Sequence, residues 1–228
     1  PLLLMLIADH RRRHGRYLDR IALLDADTSI ENLSQGQRQW TRAEMLRDPR
    51  FYGVLPVVLA PAFLNTGLMF HHQHIVLSKG WELETWYLLL MAYAASSITF
   101  SMLAGILVDR NGARSLMPLF TLPMVLGGLA LMAGNNDAWI FGVLLSFGAA
   151  AGMTSAVTAP FWAEVYGVQH LGAIKAVATA VMIFASAMSP ALYGAMFDGG
   201  VTIPSIGLLN IIFVLVASAC AWLALRKS

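Results

Sequence analysis

The chain has 228 residues, of which 57% are hydrophobic and only 12% charged, and its mean hydropathy is +0.64. Soluble domains carry about 25% charged residues, so this composition argues against a water-soluble globule. The net charge of +2 is silent on nucleic acid until its distribution is read, and the single cysteine, Cys220, admits no intrachain disulfide.

The chain opens on "PLLLMLIA", residues 1–8, an apolar run too short to cross a bilayer, which takes about 20 residues. It reads as the end of a truncated transmembrane helix. Residues 9–50 form the only sizeable polar segment and read as a loop. Near its end, "WTRAEMLRDPRF" carries a capping box, Thr41 with Glu44, and a hydrophobic staple, Trp40 with Met45. Pro49 stops that short helix at about Asp48. An amphipathic, basic helix lying on the membrane surface is expected here. The basic residues of this segment are assigned to topology and anionic lipid rather than to nucleic acid.

Six stretches then reach spanning length: roughly 52–76, 86–108, 115–134, 138–163, 176–197 and 203–225. A helix rises about 1.5 Å per residue, so each can cross a hydrocarbon core of about 30 Å. A β-barrel would instead show alternating strands of about 10 residues, and the sequence has none. With the opening run counted as helix zero, fourteen of the fifteen Lys and Arg residues fall in the even-numbered connections, and Lys79 alone falls on the other side. The positive-inside rule then predicts that segment 9–50 and the C-terminus are cytoplasmic.

The six spans also hint at a repeat. The second ends "GILVD", with Gly105 and Asp109, and the fifth ends "GAMFD", with Gly194 and Asp198. The same Gly-x-x-x-Asp pattern thus closes the middle helix of each triplet. A triplet has an odd number of crossings, so the two must be inverted relative to one another, a known transporter arrangement.

The connection "GILVDRNGAR", residues 105–114, resembles the cytoplasmic loop signature of the major facilitator superfamily, in the copy between helices eight and nine. The run "HLGAIKAVATAVMIFASAMSPALYGAMFD", residues 170–198, is similar to the family's eleventh helix and its lead-in. The resemblance implies an all-α integral membrane fold, with the six spans as helices seven to twelve in two inverted three-helix repeats. Segment 1–8 would then end helix six, 9–50 would be the central cytoplasmic loop, and 51–228 would be the C-terminal six-helix domain. An N-terminal six-helix half of the same protein is implied as partner. So is a conformational latch made by Gly105, Asp109, Arg110, Gly112, Arg114 and Glu164.

The residues of that loop have their own physical reading. Gly105 and Ser101 give a small-xxx-small face for close helix approach. Gly112 can take positive φ in a tight turn. Asp109 can pair with Arg110 or Arg114 at the membrane surface, with Glu164 as a further partner. Plain topology plus a turn is the competing reading.

Candidate solute contacts come from interrupted or polar-faced spans. The first span carries Pro56 and Pro61, with Asn65 and His72 on one face. The second carries Tyr93, Ser97 and Ser101, and the fourth Thr154, Thr158 and Trp162, each set spaced every four residues. The candidates are therefore Asn65, His72, Tyr93, Ser97, Thr154, Thr158 and Trp162. Ser and Thr in membrane helices also bond their own backbone or a neighbouring helix, which is the competing assignment. "GAAAG", residues 148–152, reads as a packing face. The third and sixth spans offer few interior polar groups, and family architecture puts them outermost.

"HHQH", residues 71–74, lacks an accompanying carboxylate or Cys in its span and reads as ordinary imidazoles at the outer mouth, not as a metal site. His72 as a protonatable gate stays open. No cofactor is expected. Every charged residue sits near a span end, so this segment shows no buried proton carboxylate and no cationic clamp. Either the partner half supplies them, or the solute is neutral or largely apolar.

The function expected from all this is a secondary active transporter in the cell membrane, moving a small solute with or without a coupling proton or ion. A channel or scaffold is the alternative. A membrane-embedded enzyme is less favoured, for the sequence has no Gly-x-Ser-x-Gly elbow, no His-Glu-x-x-His and no carboxylate pair within a span.

Overall fold

A computed structural model describes residues 38–226, and among these every regular element is an α-helix. In chain order they are α1 (Arg42–Met45), α2 (Pro49–Phe70), α3 (His72–Ser78), α4 (Leu83–Asn111), α5 (Ala113–Leu116), α6 (Pro123–Ala133), α7 (Ala138–Tyr166), α8 (Leu171–Asp198) and α9 (Ile203–Arg226). The expected helix end at 1–8 and most of segment 9–50 lie outside the described residues. Helices α2, α4, α7, α8 and α9 are long and apolar enough to cross a membrane.

The third expected span, 115–134, is not one helix. It is divided into α5, a run of tight turns over 117–122, and α6. Pro118 and Pro123 are the cause, because each lacks an N–H and crowds the preceding turn. The ladder tightens to i→i−3 bonds from Leu119 N–H to Leu116 O (2.9 Å) and from Leu122 N–H to Leu119 O (3.0 Å). The first span differs as well. Its prolines, Pro56 and Pro61, lie inside α2, and the break falls at His71, where φ is −100° and ψ 16°.

The capping box forms as its spacing predicts, but α1 is a single turn. It ends at Met45, not at Asp48. Asp48 instead caps α2 through the Arg50 N–H (2.9 Å), and Pro49 takes the first helical position, where its missing N–H matters least. The segment before α1 is anchored by Trp40 N–H to Tyr166 O (3.0 Å) and by Gln169 N–H to Gln39 Oε1 (3.0 Å). It therefore packs on the α7–α8 turn, with Met45 fully buried.

Packing follows a two-fold pattern. α4 packs on α7 as α8 packs on α2; α6 packs on α7 as α9 packs on α2; α6 and α9 meet each other. Exchanging α2, α4, α6 for α7, α8, α9 therefore maps the contacts onto themselves. Burial follows the same exchange. The leading helices are the most covered, with 44% of the apolar stretch buried in α2 and 56% in α7, whereas α4 and α8 are each only 11% buried.

Two apolar cores stack along the bundle. One gathers Phe51, Met117, Phe120, Phe161, Trp162, Tyr166 and Ile174 at the end carrying Gly112. The other gathers Leu64, Leu68, Trp81, Trp86, Met124, Ile140 and Phe147 at the opposite end. Between α4 and α7 the backbones come very close. A Cβ added at Gly148 would collide with the Tyr93 carbonyl, and one added at Gly152 with the Ser97 carbonyl. "GAAAG" is thus a packing face, as its sequence reads.

Candidate functional site

At the Gly112 end, α4 runs through Asp109 and Arg110 to Asn111 before the chain turns at Gly112, whose φ is +78°. That left-handed conformation is one glycine adopts freely and other residues resist. The turn brings two backbone donors to Glu164 near the end of α7. Glu164 Oε2 accepts from Ala113 N–H (2.7 Å) and Arg114 N–H (3.1 Å). The Arg114 guanidinium donates to the Leu225 carbonyl near the end of α9 (2.6 Å). Three elements are thereby tied at one point, beside a groove of about 430 Å³ lined by Arg114, Ser115, Glu164, Trp222 and Arg226.

Two expectations for this loop change. Asp109 and Arg110 are exposed on α4 and form no ion pair among the described residues. Arg114 lies beyond the turn and is aimed at α9, so it is not positioned as the partner of Asp109. Nor does Gly105 make the close approach expected of it, since nothing lies within 4 Å of a Cβ built there. The close approach of this face belongs to Tyr93, Ser97 and Ser101 against Gly148 and Gly152.

Of the seven solute candidates, the structure joins Asn65 to Tyr93. Asn65 Nδ2 donates to Tyr93 Oη at 3.0 Å, bridging α2 and α4, while Asn65 Oδ1 is buried with no hydrogen-bond partner. An unpaired buried amide oxygen costs about 1–3 kcal/mol, so a polar visitor there is favoured. His72 stands apart, past the break at His71. Its Nδ1 faces Met69 O (2.8 Å) and its Nε2 faces Tyr87 Oη (3.2 Å), and its ring stacks on Trp86. A carbonyl only accepts, so the neutral ring carries its hydrogen on Nδ1 and accepts from Tyr87 at Nε2.

Thr154 and Thr158 donate to the carbonyls four residues back, Ala150 O (2.6 Å) and Thr154 O (2.7 Å). Trp162 is buried between Phe51, Phe161 and Tyr166 on one side and a small cavity on the other. Thr158 lines the same cavity. Ser97 is half-buried beside Gly152.

Sequence reasoning missed the seam between α2 and α8. Ser189 Oγ donates to Phe63 O (2.5 Å), Thr66 Oγ1 and Ser186 Oγ share a hydrogen bond (2.7 Å), and His71 Nε2 donates to Pro190 O (2.9 Å). Gly67 lies against the Tyr193 ring, whose hydroxyl donates to Asn210 Oδ1 (2.8 Å). Ser186, Ser189 and Tyr193 recur every three or four residues on one face of α8, which is the signal that marks them. His74, the remaining imidazole of "HHQH", packs on Phe197 at 4.5 Å. Lys79 donates to Met132 O (3.3 Å) and Gly134 O (3.0 Å) at the end of α6, and burial pushes its ammonium below the usual lysine range.

Long apolar helices, a two-fold contact pattern and polar groups set within the helical interior define a multi-pass α-helical membrane protein. The model of the Major Facilitator Superfamily matches residues 33–228. The chain belongs to that superfamily of membrane transporters, with an all-α integral membrane fold. No curated protein and no solved structure matches it.

Proposed function

We propose that this chain is the C-terminal six-helix half of a secondary transporter that moves a small solute by alternating access. The observation that carries the reading is the matched exposure of α4 and α8 at equivalent places in the two triplets. Each presents large apolar side chains outward, Met91, Ile98 and Met102 on α4, Ile183, Phe184 and Met188 on α8. An N-terminal half seated on these two helices would enclose a central path, against which the two halves rock.

In this reading the Gly112 end, with segment 38–50 and the end of α9, faces the cytoplasm of a cell membrane, an orientation that the bias of the basic residues supports. The Asn65–Tyr93 bridge and the Thr158–Trp162 face line the solute path, with Ser97, Thr154 and His72 above and below. Glu164, Arg114 and the Gly112 turn hold the cytoplasmic end in one conformation. Asp109 and Arg110, exposed here, would meet the other half.

Two measurements on the full-length protein test this. A cysteine placed by Asn111→Cys should label with an impermeant thiol reagent only after cells are permeabilised, with labelling of the protein lacking that substitution subtracted as background. Labelling in intact cells would reverse the orientation. Uptake into proteoliposomes against a solute panel, with and without a pH gradient, should show saturable transport that Asn65→Leu weakens. Conductance without saturation would instead favour a channel.

A further inference from the structure

Lys175 was expected in the connection before the fifth span, but α8 begins at Leu171 and takes Lys175 into its second turn. Thr179 follows four residues on, so the two share a face. Together they border a cavity of about 70 Å³ between α2, α7 and α8, with apolar walls from Val58 and Met182 and with Thr158 and Trp162 contributed by α7. The space is open on the α8 side, where Lys175 and Thr179 are exposed.

The only charged group lining this niche is a cation. Lys175 offers three ammonium N–H groups and can only donate, the Thr179 hydroxyl can donate or accept, and Trp162 has a donor-only indole N–H. None of the hydrogen bonds among the described residues engages them. Thr158 directs its own hydroxyl hydrogen to the Thr154 carbonyl. No carboxylate lines the cavity, so the lysine charge has no counter-ion within it.

We infer that this niche binds a carboxylate group of the transported solute, which makes the solute class a small organic anion. The inference rests on the transporter reading above. A carboxylate is acceptor-only and takes several donors at once. Charge-assisted hydrogen bonds are about twice as strong as neutral ones, so an ammonium flanked by two neutral donors selects a carboxylate over the matching amide. The space takes a carboxylate and its attached carbon, and the rest of the solute extends out past Lys175 and Thr179. An acidic side chain of the N-terminal half carries the same chemistry, and the experiment separates the two sources.

The test uses full-length protein in nanodiscs, with acetate, lactate and benzoate as probes and acetamide, lactamide and benzamide as neutral partners. At least one carboxylate should raise the unfolding temperature of wild type and of Lys175→Arg, while its amide does not. Lys175→Met should weaken that response at least tenfold and Thr179→Val several-fold, with the ligand-free unfolding temperature unchanged. An equal response in Lys175→Met, an equal response to the amide, or no response to any carboxylate overturns the inference. If Lys175→Met lowers the ligand-free unfolding temperature and no added carboxylate acts, the niche holds a side chain of the other half, and the solute assignment falls. Uptake of a neutral solute alongside a silent niche sinks this inference and leaves the transporter reading standing. Absence of any uptake by folded wild type sinks the transporter reading itself.

Discussion

The α4–α7 and α2–α8 seams are exchanged by the two-fold pattern, yet they differ in how closely their backbones approach. α4 meets α7 at backbone contact, with Gly148 and Gly152 pressed on the carbonyls of Tyr93 and Ser97, and adds side-chain bonds from Ser96 to Leu145 O (2.7 Å) and between Ser101 and Ser155 (3.3 Å). α2 meets α8 through side-chain bonds at Thr66–Ser186, Ser189–Phe63 and His71–Pro190. A backbone contact has no slack, because a shift of even a methyl's width meets repulsion. Side-chain hydrogen bonds can break and re-form as helices slide, and each is worth only about 0.6 kcal/mol on average in a membrane protein. The α4–α7 seam is therefore the more rigid of the two and the α2–α8 seam the more adjustable, a difference that the proposed alternating-access cycle would use.

The largest expected effect is on the rigid seam. Gly152→Val should lower stability by about 1–3 kcal/mol or abolish folding, since the obstructing atoms are backbone and cannot rotate away. Gly172→Ala on α8, where a Cβ meets nothing within 4 Å, should leave the unfolding temperature unchanged. Equal losses in the two variants would break the comparison.

Next in size is Arg114→Ala, which removes a charged donor from the Leu225 carbonyl. Hydrogen bonds to charged groups are worth about 1.5–3 kcal/mol, so transport should slow by about tenfold or more. The amount of protein inserted in the membrane should stay at the wild-type level. Unchanged uptake would reduce this junction to a turn.

On the adjustable seam, Ser189→Ala and Thr66→Val should each cost about 0.6 kcal/mol of stability while changing the rate of uptake more than its saturation. A stability loss as large as that of Gly152→Val would remove the proposed contrast between the seams.

The smallest effect belongs to α1. The Glu44 carboxyl accepts from the Thr41 backbone N–H and hydroxyl and from Arg38, and these hold it down to about 2, against an ordinary value of 4.5. A carboxyl depressed on folding adds stability that is complete above about pH 4.5 and is lost as pH falls through about 2. Protection of residues 41–46 against hydrogen exchange, taken relative to the intrinsic rate at each pH, should therefore fall on acidification across that window while the long helices stay protected. Glu44→Gln should remove the pH dependence. Wild-type protection that stays flat over the window would show that the carboxylate does not hold the turn.

Much of this protein is legible in its sequence because membrane physics acts on local runs. About twenty apolar residues bounded by charge must form a span, since lipid offers no partner for an open backbone. The Thr41–Glu44 capping box and the Gly112 turn are equally local, and both stand where their residue types require. Prolines were visible but not their consequences. Pro56 and Pro61 leave α2 continuous, while Pro118 and Pro123, five residues apart, divide the third span. Which outcome follows depends on the neighbours that restore the lost bonds.

What only the tertiary structure decided is which faces meet. A serine in an apolar run can bond its own helix, as Ser146 does to Gly142 O, or reach across, as Ser189 does to Phe63 O. Nothing in the surrounding letters separates the two. Lys175 borders an apolar run as a connection residue would, yet α8 starts four residues before it and sets it beside Thr179 at the Trp162 cavity. Hydropathy and charge add up along the chain, so sequence reads them directly. Register between helices is set by long-range fit of side chains, and that exists only once the bundle has closed.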